Sequence, residues 1–341
     1  MTRLSAAQAL ESYRSADLLE LGREASAVQK RLHPEGVVTF VGDRNINYTN
    51  VCVVGCLFCA FHRRPGDPEG YVLSIDQVVA KVEEAVAGGV TQILLQGGVN
   101  PAIPLSYYTE LFRAVRRYPV HIHSLSPVEI AFLADREGVD AETILSKLRE
   151  AGLDSLPGGG AEILSDRPRS IQSPRKIPAS RWLSIMETAQ RLGMKTTATM
   201  VYGSVETPAE RIQHLLAIRD LQDRTGGFTA FIPWSYQPKN TSLGGKEAGG
   251  AEYLRMVAIS RLTLDNVPNL QVSWVTQGLK LAQVALAFGA NDFGGTMMEE
   301  NVVRAAGVTF RARKEDIVAA IREAGYRPAQ RDTYYRIRQE F

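Results

Sequence analysis

Cys52, Cys56 and Cys59 are the only cysteines in the 341 residues, and they fall together as Cys-x3-Cys-x2-Cys in VCVVGCLFCAF. An odd, clustered set makes a poor disulfide framework, because cysteines three or four residues apart rarely meet disulfide geometry. Thiolates in this pattern read as ligands of an iron–sulfur cluster, and a four-iron cube ordinarily takes a fourth cysteine. None exists here, so one iron would be left to a non-protein ligand. Gly55 lets the loop turn tightly enough for three sulfurs to converge, since glycine tolerates positive φ. Two blander readings stand beside this one. His62 follows Cys59 at a ligand-like interval, as a Cys3His zinc site would need, and buried inert thiols need no metal at all.

The elements that must position this loop alternate. Apolar runs rich in β-formers occur at 37–41, 91–96, 119–125, 153–157, 195–202, 228–234 and 271–274, with an eighth near 291–293. Between them lie patterns with apolar residues at i, i+3, i+4 and i+7, several followed by glycine as a helix C-cap requires. Repeated βα units predict a parallel sheet covered by helices, and this number of strands predicts an α/β, TIM-type (β/α)8 barrel. The expected organisation is an N-terminal helical cap over 1–35 (helical from about Ala6 to Lys30), a barrel over 36–310, and a C-terminal helix and tail over 311–341 packed on it.

In such a barrel the reactive residues sit where strands end. The first strand runs into the cysteine loop. The second ends in LLQGGVNP, whose Gln96, Gly97 and Gly98 form either a ligand-binding turn or a plain one. The third ends in HSLSPVEI, where Ser126 before Pro127 reads first as an N-cap. His121 and His123 share one strand face and lack the third partner a metal site would need. The fourth ends in LPGGGAEIL, in which Glu162 could bond ribose hydroxyls or serve as a first-turn acid. FIPWSYQPKNT brings Trp234, Tyr236, Gln237 and Asn240 to the end of the sixth strand, suited to a flat ring and sugar hydroxyls. GANDFGGTMMEEN gathers Asn291, Asp292, Glu299 and Glu300. Glu299 and Glu300 read as caps of the last helix rather than catalysts.

Composition bounds the function. With 45% hydrophobic and 22% charged residues and a formal charge of +2, the chain has the make-up of an ordinary globular protein and no reason to bind nucleic acid. The arginine-rich stretch from Arg311 to Arg338 is explained by a solvated helix face. No run approaches the roughly 20 apolar residues of a membrane span, and the first residues carry no signal-peptide core. Reduced thiols and an oxygen-sensitive cluster fit a cytoplasmic location.

The cysteine loop, with aromatic Phe58 before its last cysteine, resembles that of the radical S-adenosylmethionine (SAM) superfamily. INYTNVCVVGCLFCAF, QILLQGGVNP, HSLSPVEI, AGLDSLPGGGAEIL, TATMVYG, TGGFTAFIPWSYQP, SWVTQG and GANDFGGTMMEENVV together resemble one subgroup. It holds the futalosine-pathway menaquinone enzymes and the deazaflavin-forming FO synthase components, and the likeness is greatest to the futalosine-pathway cyclases. The resemblance implies a [4Fe–4S] cluster on Cys52, Cys56 and Cys59, with SAM on the open iron against Phe58, Gln96, Gly97, Gly98, Ser126 and Glu162. Family members usually have an acidic residue after the glycine pair; Val99 stands there, so only the backbone part of that role carries over. The implied reaction joins ribose C4′ of dehypoxanthine futalosine to its benzoate ring, after one electron from a donor such as flavodoxin or ferredoxin cleaves SAM. Tyr202, Trp234, Tyr236, Gln237 and Asn291 are the expected substrate contacts, and Glu206 or Asp292 the expected acceptor of the ring proton. The alternatives are an aminofutalosine synthase, an FO synthase component and, in another class, a zinc-bearing binding protein.

Overall fold

A computed structural model describes residues 3–341. Helices α1 (Ala6–Ser15) and α2 (Leu18–Leu32) lead into β1 (Val37–Val41) and β2 (Asp43–Ile46). The sequence pattern reads as one helical segment, but Ala16 is extended and Asp17 caps α2, its Oδ1 accepting from Leu19 and Glu20 N–H. The chain then alternates through α3 (Ile75–Ala87), β3 (Gln92–Leu95), α4 (Leu105–Val115), β4 (His121–Ser124), α5 (Pro127–Glu137), α6 (Ala141–Ala151), β5 (Ser155–Leu156), α7 (Asp166–Gln172), α8 (Ala179–Arg191), β6 (Lys195–Tyr202), α9 (Pro208–Thr225) and β7 (Phe228–Ser235). After α10 (Gly250–Thr263) come β8 (Asn269–Leu270), α11 (Trp274–Leu286), β9 (Asp292–Gly295), α12 (Val302–Ala305), α13 (Lys314–Glu323), β10 (Arg327–Arg331) and β11 (Ile337–Glu340). Among the described residues no helix is long and apolar enough to cross a membrane.

Strands β2 to β8 form one parallel sheet in chain order, and β1 lies between β9 and β10 in a second sheet. The two sheets are one wall. β1 and β2 are a single run bent at Gly42, whose carbonyl accepts from Thr91 and Gln92 N–H. On the far side a parallel bridge pairs Gln271 with Asp292, and β9 runs beside β1 with Thr39 opposite Asp292. Eight parallel strands thus ring a common interior, with the helices outside, as in a TIM-type barrel.

The strand expected at 271–274 lies slightly earlier, at Asn269–Leu270, because Trp274 already begins α11. The C-terminal segment holds its helix, α13, and then two strands absent from the sequence reading. β10 pairs with β1 in parallel from Val37↔Arg327 to Val41↔Arg331, and the turn beyond it runs beneath the barrel. There Thr333 Oγ1 donates to Gln92 Oε1 at 2.7 Å, and Gln271 Nε2 donates to the Tyr335 hydroxyl at 2.8 Å. The tail closes the barrel floor.

Alternation along β6 fixes what faces inward. Thr197, Thr199 and Val201 line the interior, while Ala198, Met200 and Tyr202 are fully buried against the helices. A strand's side chains alternate between faces, so a one-residue error in parity moves a residue to the other side.

Candidate active site

The cysteine loop follows β2 and is pinned by backbone bonds rather than by regular structure. Cys52 N–H donates to Arg63 C=O at 2.8 Å, Val53 N–H to Val99 C=O at 2.9 Å and Leu57 N–H to Gln172 C=O at 2.8 Å. Gly55 adopts φ +59° directly under Arg175, whose Nη2 lies 2.4 Å from where a Cβ would stand. Cys56 is buried, Cys52 and Cys59 partly so, and none is in a disulfide. Burial pushes the Cys56 thiol up, and the nearby Lys176 ammonium pulls it back.

All three cysteines line one cavity of about 230 Å³ at the strand ends. Phe58, Gln96, Gly97, Gly98, Ser126 and Glu162 line the same cavity, so every residue expected around SAM is brought to the thiols. Glycines shape its wall. A Cβ on Gly98 would stand 2.2 Å from Val51 C=O, and one on Gly97 2.6 Å from the Tyr48 ring, so the glycine pair lets β3 pass directly beneath the cysteine loop. Ser126 caps α5 and also donates its hydroxyl to Glu129 Oε2 at 2.7 Å. Glu162 sits at φ +40° and pairs with buried Lys176, 2.9 Å from its Oε2. The Lys176 ammonium also stands 5.0 Å over the Phe58 ring. Sequence reasoning missed Lys176, which no motif marks, and Glu129. The Glu129 carboxylate ties three strand ends together, accepting from Tyr48 OH, Ser126 and Gly97 N–H. Burial, outweighing those bonds, pushes it up to about 7.

The donor set fits a cluster better than a single ion. His62 spends Nδ1 on the Cys59 carbonyl at 2.8 Å, and among the described residues no three His, Cys, Asp or Glu side chains converge closely enough to hold one metal ion. Three thiols spaced around a cavity, with a buried ammonium and carboxylate beside them, match a larger anionic group and an amino-acid ligand on its open corner.

A second cavity, about 330 Å³, fills the barrel beneath and shares Phe58, Cys59, Gln96, Gly159, Gly160 and Glu162 with the first. Trp234, Tyr236 and Gln237 line it as expected from sequence. The Tyr236 hydroxyl is committed to Thr241 Oγ1 at 2.5 Å and Gly244 C=O at 3.0 Å, so it offers its ring rather than its oxygen. Asn240 holds the neighbouring loop by donating to Ala305 C=O. His123 also faces this cavity, its Nδ1 2.6 Å from Ser155 Oγ, and burial lowers it to about 3, a neutral imidazole. His121 shares that serine, and burial likewise lowers it to about 4.

Four expected site residues are elsewhere. Tyr202 points out of the barrel into the helical layer, its ring 4.9 Å from the Arg211 guanidinium. Glu206 has a fully buried carboxylate that accepts from Gly203 and Ser204 N–H and pairs with Arg211 at 2.8 Å. Asn291 is spent on joining β8 to β9, bonding Arg261, Leu270 N–H and Asn269. Asp292, fully buried, is held by both Nε and Nη2 of Arg331, at 2.5 and 2.9 Å, and by Thr39 and Gly294 N–H. Carboxylates so saturated are structural. Glu300 does cap a helix, through Val302, Val303 and Arg304 N–H, but it is the short α12 and not the last helix, α13, and Glu299 instead pairs with Arg44 and Lys81.

Comparison with known proteins agrees with this geometry. Residues 46–218 match the radical SAM superfamily model, and residues 225–341 the CofH/MqnC C-terminal region. The chain is 47% identical to the cyclic dehypoxanthine futalosine synthase of Halalkalibacterium halodurans, over 99% of this chain and 92% of that one. It is 43% identical to the 5-amino-6-(D-ribitylamino)uracil–L-tyrosine 4-hydroxyphenyl transferase of Archaeoglobus fulgidus, over 94% and 95%. Among solved structures, methylornithine synthase shares the fold at TM-score 0.75 and 18% identity, covering 96% of this chain and 95% of the other. The chain is a member of the radical SAM superfamily, in its CofH/MqnC branch, and a [4Fe–4S] cluster and SAM are its cofactors.

Proposed function

We propose that the enzyme closes dehypoxanthine futalosine onto itself, joining ribose C4′ to the benzoate ring to give the cyclic product used in menaquinone biosynthesis. The observation that carries this assignment is the 47% identity, over nearly the whole of both chains, to a cyclic dehypoxanthine futalosine synthase. Cys52, Cys56 and Cys59 hold the cluster; Phe58, the Gln96–Gly98 turn, Ser126 and Glu162 hold SAM. When bound, this pair supplies the 5′-deoxyadenosyl radical that takes the C4′ hydrogen.

The chain's own task is orientation and exclusion of water. The substrate occupies the second cavity, directly below SAM, a reading supported by the lining that the two cavities share. Trp234 and Tyr236 offer flat surfaces for its ring, Gln237 offers an amide for its sugar, and the C-terminal turn seals the floor against solvent. The reducing electron comes from a small cytoplasmic donor of the flavodoxin or ferredoxin type.

The test is an anaerobic incubation with SAM, reductant and substrate deuterated at C4′. The product should weigh two hydrogens less than the unlabelled substrate, and the deuterium should appear in 5′-deoxyadenosine. A deoxyadenosyl group joined covalently to the product would mean radical addition of the aminofutalosine type. Turnover only with tyrosine and the ribityl uracil would place the chain among the hydroxyphenyl transferases instead.

A further inference from the structure

Cyclisation onto an aromatic ring needs a base, and both carboxylates expected for it, Glu206 and Asp292, are locked in ion pairs outside the cavity. The barrel cavity is lined by three other carboxylates: Asp43, Glu162 and Glu300. Glu162 is paired with Lys176, and Glu300 is spent on the backbone N–H groups of α12. Asp43 differs. It sits on β2 in the inward column with Val41 and Asn45, 2% exposed, and its Oδ1 accepts one backbone bond, from Met297 N–H at 2.8 Å. Among the described residues no bond to Oδ2 meets hydrogen-bond geometry, and the Thr296 hydroxyl, which bonds the Asp43 backbone N–H and C=O, stands close enough to hold the carboxyl down in part.

A glycine makes room for this carboxylate. A Cβ on Gly295 would stand 2.3 Å from both Asp43 oxygens, so any side chain there would drive them off their seat. The charged groups facing Asp43 are Arg331 from β10 and Asp292 from β9, and these neutralise each other.

We propose that Asp43 is the catalytic base that accepts the ring proton during cyclisation. The inference rests on the cyclase reading above. In the balanced step the C4′–H bond breaks and its hydrogen leaves on 5′-deoxyadenosine, then the C4′–aryl bond forms. The aryl C–H bond breaks last. Its proton goes to Asp43, and the remaining electron returns to the cluster that gave one at the start. Burial holds the Asp43 carboxyl up, at about 6, so it is ionised near neutrality yet basic enough to take a proton. His123, the other candidate on the wall, is lowered to about 3 and holds a proton poorly.

The test compares wild-type, Asp43→Asn and Gly295→Ala proteins with C4′-deuterated substrate. Both variants should still transfer deuterium to 5′-deoxyadenosine within about threefold of wild type, while cyclised product falls by about a hundredfold or more, the usual worth of a positioned base. Independently of turnover, the protonated-carboxyl infrared band of the wild type should lose one component as pH rises through about 6, ahead of the component lost through about 7 with Glu129, and Asp43→Asn should lack the first component alone. A variant Asp43→Asn that cyclises at the wild-type rate, or loses deuterium transfer in step with product, overturns the role of Asp43. Absence of the component near pH 6 overturns it without any variant. A wild type that cleaves SAM with the substrate yet forms no cyclic product overturns the cyclase reading itself, and this role with it.

Discussion

Placing an alanine at Gly98 should disable the cluster loop more than it unfolds the protein. The new Cβ would lie 2.2 Å from Val51 O, 2.7 Å from Val51 C and 2.9 Å from Cys52 Cβ. Carbon–oxygen contact requires roughly 3.3 Å, so the Val51–Cys52 backbone must retreat by about 1 Å. It cannot do so freely, because Gly98 N–H bonds Thr49 C=O at 3.0 Å and Val53 N–H bonds Val99 C=O at 2.9 Å, stitching both sides of the clash together. Overpacking of this kind costs about 1–3 kcal/mol, a fall in Tm of about 1–4 °C for 341 residues. The same displacement moves the Cys52 thiol, and a shift of about 1 Å at a reacting centre can cost on the order of a hundredfold in rate. Anaerobic reconstitution followed by iron analysis, thermal melting and 5′-deoxyadenosine assay separates the two effects. A Gly98→Ala protein with full iron loading and wild-type SAM cleavage would refute the claim that β3 supports the loop through this glycine.

Two further outcomes follow from the buried charges. Asp292→Ala strands the Arg331 guanidinium, only 3% exposed, and should cost about 3–5 kcal/mol in denaturant unfolding; Asp292→Leu with Arg331→Met should recover much of it, since no unpaired charge remains. Equal losses in both would mean that the pair is not a coupled unit. Glu129 is raised from its ordinary 4.5 to about 7, so its contribution to stability is fully present below about 4.5 and is lost as pH rises through about 7, roughly 3 kcal/mol in all. Glu129→Gln mimics the protonated form but loses one acceptor for the three donors. It should therefore unfold more easily than wild type at pH 5, with the gap closing toward pH 8. A gap independent of pH would contradict the raised carboxyl.

The barrel was legible because its signals are local. Periodicity located the strands of the wall to within a few residues, and glycine and capping residues marked most helix ends. Longer-range features were not. β10 and β11 carry arginines, a proline and glutamines, a composition that reads as solvated tail. They are strands because β1 offers a free parallel edge at the barrel floor, and the partner lies almost 300 residues earlier in the chain. That the cysteine loop, Phe58, the glycine pair, Ser126 and Glu162 meet around one cavity was also readable, because all sit in loops that directly follow strands, and strand ends share one face of a barrel.

The carboxylates were less legible than the rings and amide of Trp234, Tyr236 and Gln237, which do line the barrel cavity. Glu206 and Asp292 stand near strand ends in loops rich in polar residues, a signal that reports residue types and is blind to partners. What separates a base from a structural acid is how many of its lone pairs are already taken. Asp292 is met by an arginine that arrives with β10, and Glu206 by Arg211 on the following helix; neither meeting is written in the local sequence. Tyr202 failed by parity alone, since Val201 and not its neighbour faces the cavity. Asp43 was overlooked for the reverse reason. In FVGDRNINY it resembles a turn residue after Gly42, whereas Gly42 is the bend at which one strand crosses from the floor sheet to the wall, and the next residue therefore points inward with an oxygen left over.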